Sequence, residues 1–170
     1  MLSLLRKVAD GLIELSATIG SLGLVIEVII ILIDVIGRAF GYPLLGSQDL
    51  ITMTMVFVVF GGMAVCDRFD GHISIDIFED HYPAKMNRFI DILSAALGAI
   101  IFLGIAWTVY ESSKLSLMLN LSTNLLFLPK AWFQWALSGF ALLTALGMLL
   151  RAIEMAVSGL DVRKRSLAHE

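Results

Sequence analysis

Of the 170 residues, 58% are hydrophobic and only 16% are charged, and the mean hydropathy is +0.88. Soluble domains carry about 25% charged residues, so this chain is too apolar to fold around one small aqueous core and reads as an integral membrane protein. The formal net charge of −3 decides little, and with no basic stripe beyond Arg163-Lys164-Arg165 nucleic acid is not an expected partner.

The chain opens MLSLLRKVADGLIEL, in which Arg6 and Lys7 are followed by Asp10 and Glu14. No small-residue cleavage site closes the first apolar run, so the segment is expected to be a retained anchor. A spanning helix needs about 20 predominantly apolar residues. Four stretches meet or approach that length, with spans expected at about 12–36, 48–66, 89–110 and 130–151. The second is short as the run Leu50 to Cys66, and lengthens if helix starts near Ser47, an N-cap residue with Asp49 in its first turn. Pro43, Pro83 and Pro129 all fall in connections, the last two just before apolar runs, where a first helical turn tolerates a missing N–H. The expected fold is therefore all-α, one membrane domain over residues 1–170 with four transmembrane helices.

Between the second and third spans lies DRFDGHISIDIFEDHYPAKMNR, residues 67–88, the one markedly polar interruption. Between the third and fourth lies Glu111 to Leu128, where Met118, Leu121, Leu125 and Leu128 recur at helical spacing while Asn120, Thr123 and Asn124 interrupt. Two readings fit it: an interfacial amphipathic helix before the fourth span, or a continuation of the third span past Tyr110. Either presents an apolar surface suited to lipid or a protein partner.

Orientation follows from lysine and arginine. The N-terminus, the 67–88 stretch and the C-terminus hold Arg6, Lys7, Arg68, Lys85, Arg88, Arg151, Arg163, Lys164 and Arg165, against Arg38, Lys114 and Lys130 in the other two connections. Both termini are expected in the cytoplasm. Trp107, Trp132 and Trp135 then fall at the outer face, where indoles favour the headgroup layer.

Few residues suggest chemistry. Glu27 lies within the first span, with Asp34 seven residues on and Arg38 four further. An ionisable group at that depth costs about 3 kcal/mol on insertion scales and faces protein or a water-filled cavity. One reading is an ion- or proton-coupled carboxylate. The other, preferred because Asp34 and Arg38 can pair near the outer interface, is a polar face packed against another subunit. Haem with paired axial histidines is excluded, since His72, His81 and His169 all lie outside the spans. His72, Asp76, Asp80 and His81 form no recognised metal-ligand spacing, Cys66 is alone, and no nucleophile–base set is visible. No cofactor, metal or catalytic residue is expected. Small residues recur at close-packing spacing, Ser16 to Gly20 and Ser94 to Gly98, with Gly61-Gly62 besides.

Taken together, several elements resemble the DctQ-like small membrane subunit of tripartite ATP-independent periplasmic (TRAP) transporters. They are Gly37-Arg38-Ala39-Phe40 closing the first helix, an acidic element opening the second, Gly61-Gly62-Met63-Ala64 near its end, and His72-Ile73-Ser74-Ile75-Asp76 with Arg68 upstream and Pro83 downstream. The chain departs from the pattern at Gly46-Ser47-Gln48-Asp49, where members often carry an aromatic and paired acids.

The resemblance implies a non-enzymatic subunit that braces a large multi-span transport subunit, the carrier of an organic acid and coupling sodium, and adds docking surface for a periplasmic binding protein. Glu27, Asp34, Arg38 and Asp49 are then expected at the contact with the large subunit. Arg68, His72 and Asp76 would form the cytoplasmic motif, and Tyr42, Gln48, Lys114, Asn120 and Asn124 the docking surface. The competing readings are a self-sufficient proton-coupled exporter of the multidrug type using Glu27, and a membrane enzyme, for which no constellation exists.

Overall fold

The computed structural model describes residues 2–68 and 84–158. Four helices make up nearly all of it: α1 (Leu2–Ala39), α2 (Ser47–Arg68), α3 (Ala84–Met118) and α4 (Lys130–Ser158). Three are long and apolar enough to cross a membrane, over Val8–Ala39, Met86–Met118 and Lys130–Val157, while the apolar part of α2 is shorter, Ser47–Met63.

All four exceed the apolar runs that announced them. Hydropathy marks the stretch that tolerates hydrocarbon, whereas a helix goes on satisfying its own amides until something stops it. α1 therefore begins well before Leu12, and its 38 residues reach about 57 Å at 1.5 Å each. α3 runs past Tyr110 to Met118, with Lys114 donating to Glu111 at 2.8 Å one turn back. This corrects the reading of 111–128 as an interfacial amphipathic helix: its first part continues α3, and the rest is a loop closed by a bridge between Ser122 and Pro129.

Each helix packs through small residues. On α1 the packed stripe is Ala9, Ile13, Ser16, Gly20, Gly23, Glu27, Ile30, Asp34 and Gly37, alternating in steps of four and three, the repeat that keeps one face toward a neighbour. That face lies on α2. A Cβ placed on Gly20 would stand 3.2 Å from Gly62 N and from Phe57 O, and one on Gly61 would stand 2.8 Å from Ser16 O. The two backbones touch where side chains would hold them apart.

α3 and α4 pair in the same manner. Ala95, Ala99, Phe102 and Ala106 of α3 are buried, as are Ala141, Ala145, Ala152 and Met155 of α4, and all of these but Ala99 form two clusters along the seam. Polar bonds run between these helices toward the loop end. Ser138 donates to the Ala106 carbonyl at 3.0 Å, and Trp135 Nε1 to Ser113 Oγ at 2.8 Å. At the opposite end Arg88, in the first turns of α3, donates to the Met155 and Ala156 carbonyls at 2.7–3.0 Å. Those are among the last carbonyls of α4, which have no N–H donor within their own helix, and a guanidinium there also meets the negative end of the helix dipole.

The hairpins α1–α2 and α3–α4 join through α2 and α4. Phe57 of α2 stands edge-on to both Phe133 and Phe140 of α4, each with ring centroids 6.1 Å apart. Met63 of α2 packs on the cluster of Phe102, Ala106, Ala141 and Ala145.

The α1–α2 crossing sets up an internal comparison. Gly61→Ala drives a methyl into the Ser16 carbonyl and is expected to cost about 1–3 kcal/mol, the usual range for overpacking. Gly62→Ala, whose Cβ meets nothing within 4 Å, is expected to be neutral or slightly stabilising. Unfolding titrations of the two variants in mild detergent check the difference.

Candidate functional site

The connections 40–46 and 119–129 lie together at one end of the bundle, and two carboxylates organise them. Asp34 sits one turn from the end of α1, where the chain must reverse. Gly41, at φ +83°, follows the helix, and the Tyr42 amide returns to the Gly37 carbonyl at 2.8 Å while that of Gly41 returns to Arg38 at 3.1 Å. This is the double bond pattern of a Schellman stop. It carries the chain back over α1, so that the Leu44 amide donates to Asp34 Oδ1 at 3.0 Å. Arg38 Nε and one guanidinium NH₂ both donate to Asp34 Oδ2 at 2.9 Å. The Ser47 hydroxyl, at the start of α2, lies beside the same carboxylate. The pairing of Asp34 with Arg38 is thus present, and the Asp34 carboxylate fixes the turn between α1 and α2.

Asp49 does the corresponding work between the hairpins. It is buried in the first turn of α2, and its Oδ2 accepts the amides of Leu125 and Leu126 at 2.8 and 2.9 Å. Gly46, at φ +84°, lets the adjoining chain approach: a Cβ there would stand 2.6 Å from Leu126 Cγ. Any side chain at this position would strain the backbone and push away the loop that Asp49 holds.

The held loop is itself built from turn chemistry. Asn120 ends α3 at φ +50°, with the Leu121 amide on the Ser116 carbonyl at 2.8 Å and its own on Leu117 at 3.2 Å, a second Schellman stop. The Thr123 amide donates to the Leu128 carbonyl at 3.0 Å, the Leu128 amide to Thr123 Oγ1 at 3.1 Å, and the Lys130 amide to the Leu121 carbonyl at 3.1 Å. Phe127 stands at φ +53°, a conformation that costs an L-residue roughly 1–2 kcal/mol, and its side chain is 75% exposed.

The other residues singled out in the sequence are dispersed. Glu27 is half-buried on the packed stripe of α1, between Gly23 and Ile30, and no described residue hydrogen-bonds or ion-pairs with it. Tyr42, Gln48, Lys114, Asn120 and Asn124 are all exposed around the loop end. Of these, Asn120 caps α3 and Lys114 is paired with Glu111. Arg68 is the last residue of α2, while His72 and Asp76 lie outside the described residues. Cys66 is a free, exposed thiol, and no group of three His, Cys, Asp or Glu among the described residues is arranged to hold a metal.

Two structural contacts were not legible in the sequence. Asp49 finds its amides 76 and 77 residues away, and Arg88 its carbonyls 67 and 68 away; no local pattern points to either. Asn-Leu-Ser-Thr-Asn from Asn120 was the available signal for a turn. The left-handed cap predicts an ordered series at this position: Asn120→Gly is expected to match or exceed the parent in thermal stability, and Asn120→Val to lose about 1–2 kcal/mol. Melting of the two variants in detergent measures it.

The site is thus a structural junction of buried carboxylates and loop amides at one end of a helical membrane bundle. No curated protein is significantly similar to the chain. A family model does match, that described as "Tripartite ATP-independent periplasmic transporters, DctQ component", over residues 27–159, which takes in Glu27, both loops of the junction and all of α4. The chain belongs to the DctQ family, the small permease component of these transporters, and is a multi-pass inner-membrane protein.

Proposed function

We propose that the chain is a non-catalytic brace for the large transport subunit, in a sodium-driven importer of an organic acid such as a dicarboxylate or sialic acid. The observation that carries the bracing role is the division of its surface. The polar groups near the loop end hold this chain's own turns, while α1 leaves Leu24, Val25, Ile26, Val28, Ile29, Leu32, Ile33 and Ile36 exposed around the rest of its circumference. Such a helix is suited to contact with lipid and with another membrane subunit on faces that α2 does not cover.

α2 is read as the fourth span: its 22 residues reach about 33 Å, enough for a hydrocarbon core of about 30 Å. The excess of lysine and arginine at the opposite end supports a cytoplasmic position for both termini. The loop end then faces the periplasm, where Tyr42, Gln48, Lys114, Asn120 and Asn124 contribute to docking of the binding protein. In the cytoplasmic connector Arg68, His72 and Asp76 orient α2 and α3. Asp34, Arg38 and Asp49 act at the large-subunit contact by shaping the loops beside it, and Glu27 by meeting the partner within the membrane.

The tagged chain is expected to copurify with the large subunit. Vesicles holding both subunits should take up the organic acid with the binding protein and a sodium gradient, and vesicles holding this chain alone should not. Ion-driven transport by the chain alone would overturn the reading in favour of the small exporter. Glu27→Gln is expected to reduce recovery of the complex more than the sodium dependence of whatever uptake remains; intact assembly with lost coupling would reassign Glu27 to the transport path.

A further inference from the structure

We propose that the loop end is immersed in the interfacial layer of the bilayer, with the apolar side chains of both connections among the lipids. Asp34 and Asp49 supply the backbone hydrogen bonds that immersion requires. The inference rests on the membrane-spanning reading and not on which partner the chain binds.

Three independent observations carry it. First, the connections are free of charge. No Asp, Glu, Lys, Arg or His occurs between Arg38 and Asp49, or between Lys114 and Lys130. Of the bracketing groups, Arg38 is paired with Asp34 and Lys114 with Glu111.

Second, the connections and the last residue of α3 expose large apolar side chains, Phe40, Leu45, Met118, Leu119, Leu125 and Phe127, beside the polar Tyr42, Asn120 and Asn124, with Leu45 and Met118 each 81% exposed. Exposed apolar groups gathered in this way mark a site of contact with a membrane or a protein. Trp132 and Trp107 on the adjoining helices are exposed as well, the residue type that settles at the headgroup level.

Third, most of the loop amides are taken up within the protein. In a water-poor layer an unpaired N–H costs several kcal/mol, so irregular backbone survives there only when its donors are satisfied internally. The amides of Leu119, Asn120, Leu121, Thr123 and Lys130 find carbonyls. That of Leu128 finds the Thr123 hydroxyl, those of Leu125 and Leu126 find Asp49, and that of Leu44 finds Asp34.

The consequence for docking is specific. A soluble protein approaching this end meets the polar Gln48, Asn120 and Asn124 standing among lipid headgroups, and the apolar tip is withdrawn from it.

Fluorescence quenching tests this on the full chain. With the native thiol removed as Cys66→Ser, a small environment-sensitive fluorophore is placed at Phe127→Cys, or at Leu119→Cys should the first variant fail to fold. A probe at Val28→Cys, on the exposed face of α1, serves as the lipid reference. The labelled proteins are reconstituted in phosphatidylcholine vesicles with and without bromine at shallow acyl positions. Bromolipid is expected to quench the loop probes to about the extent seen at position 28, and aqueous iodide to leave them little changed. Efficient quenching by iodide with none by bromolipid would overturn the proposal, and would make the tip a water-facing knob for a protein partner. Neither outcome bears on whether the chain copurifies with the large subunit, so the two readings fail separately.

Discussion

One carboxylate ties the two hairpins together at the loop end. Asp49, in the first turn of α2, accepts two successive amides from the connection between α3 and α4. An ionised carboxylate is an acceptor only, and two N–H donors converging on one oxygen fix both distance and direction. Since the α1–α2 turn is held in the same way by Asp34, both that turn and the contact between the hairpins at this end rest on acidic side chains. At the other end Arg88 plays the converse part, a cation on the last carbonyls of α4.

Along their length the helices need something different. In lipid no hydrophobic force drives apolar helices together, so association depends on close packing and on interhelical hydrogen bonds. The seams here supply both: the backbone contact of Gly20 with Gly61, the alanine faces of α3 and α4, and hydroxyl bonds such as Ser138 to Ala106. Where bulk is needed, between α2 and α4, the Phe57 ring fills the space between Phe133 and Phe140. Packing of this kind leaves the large aliphatic side chains of α1 facing outward, as suits a subunit whose neighbours are lipid and another membrane protein.

Much of this was legible in the residues, and the rest was hidden for identifiable reasons. Four apolar runs gave four helices, and Ser16, Gly20, Gly61 and Gly98 marked close approach before any coordinates; in the structure a Cβ on Gly98 would stand 2.6 Å from Met148 Sδ. The spacing of Asp34 and Arg38 announced their ion pair. The segment after Tyr110 was ambiguous because Met118, Leu121, Leu125 and Leu128 keep helical spacing on both sides of Asn120, where the helix ends. Periodicity counts residues and is blind to one left-handed dihedral. The partners of Asp49 and Arg88 lie more than sixty residues along the chain, so only the folded bundle brings them together. The resemblance carried by Gly37-Arg38-Ala39-Phe40 and His72 to Asp76 led to the family that the match over residues 27–159 establishes.

The central claim is that Asp49 clamps the α3–α4 connection onto α2 independently of the turn that Asp34 holds. Residue-resolved amide hydrogen exchange on the reconstituted full chain tests it most directly. In the parent the amides of Leu44, Leu125 and Leu126 should all exchange slowly. Asp49→Ala should speed Leu125 and Leu126 by roughly tenfold or more while Leu44 stays slow. Fast exchange at Leu125 and Leu126 in the parent, or no change on removing the carboxylate, would contradict the account.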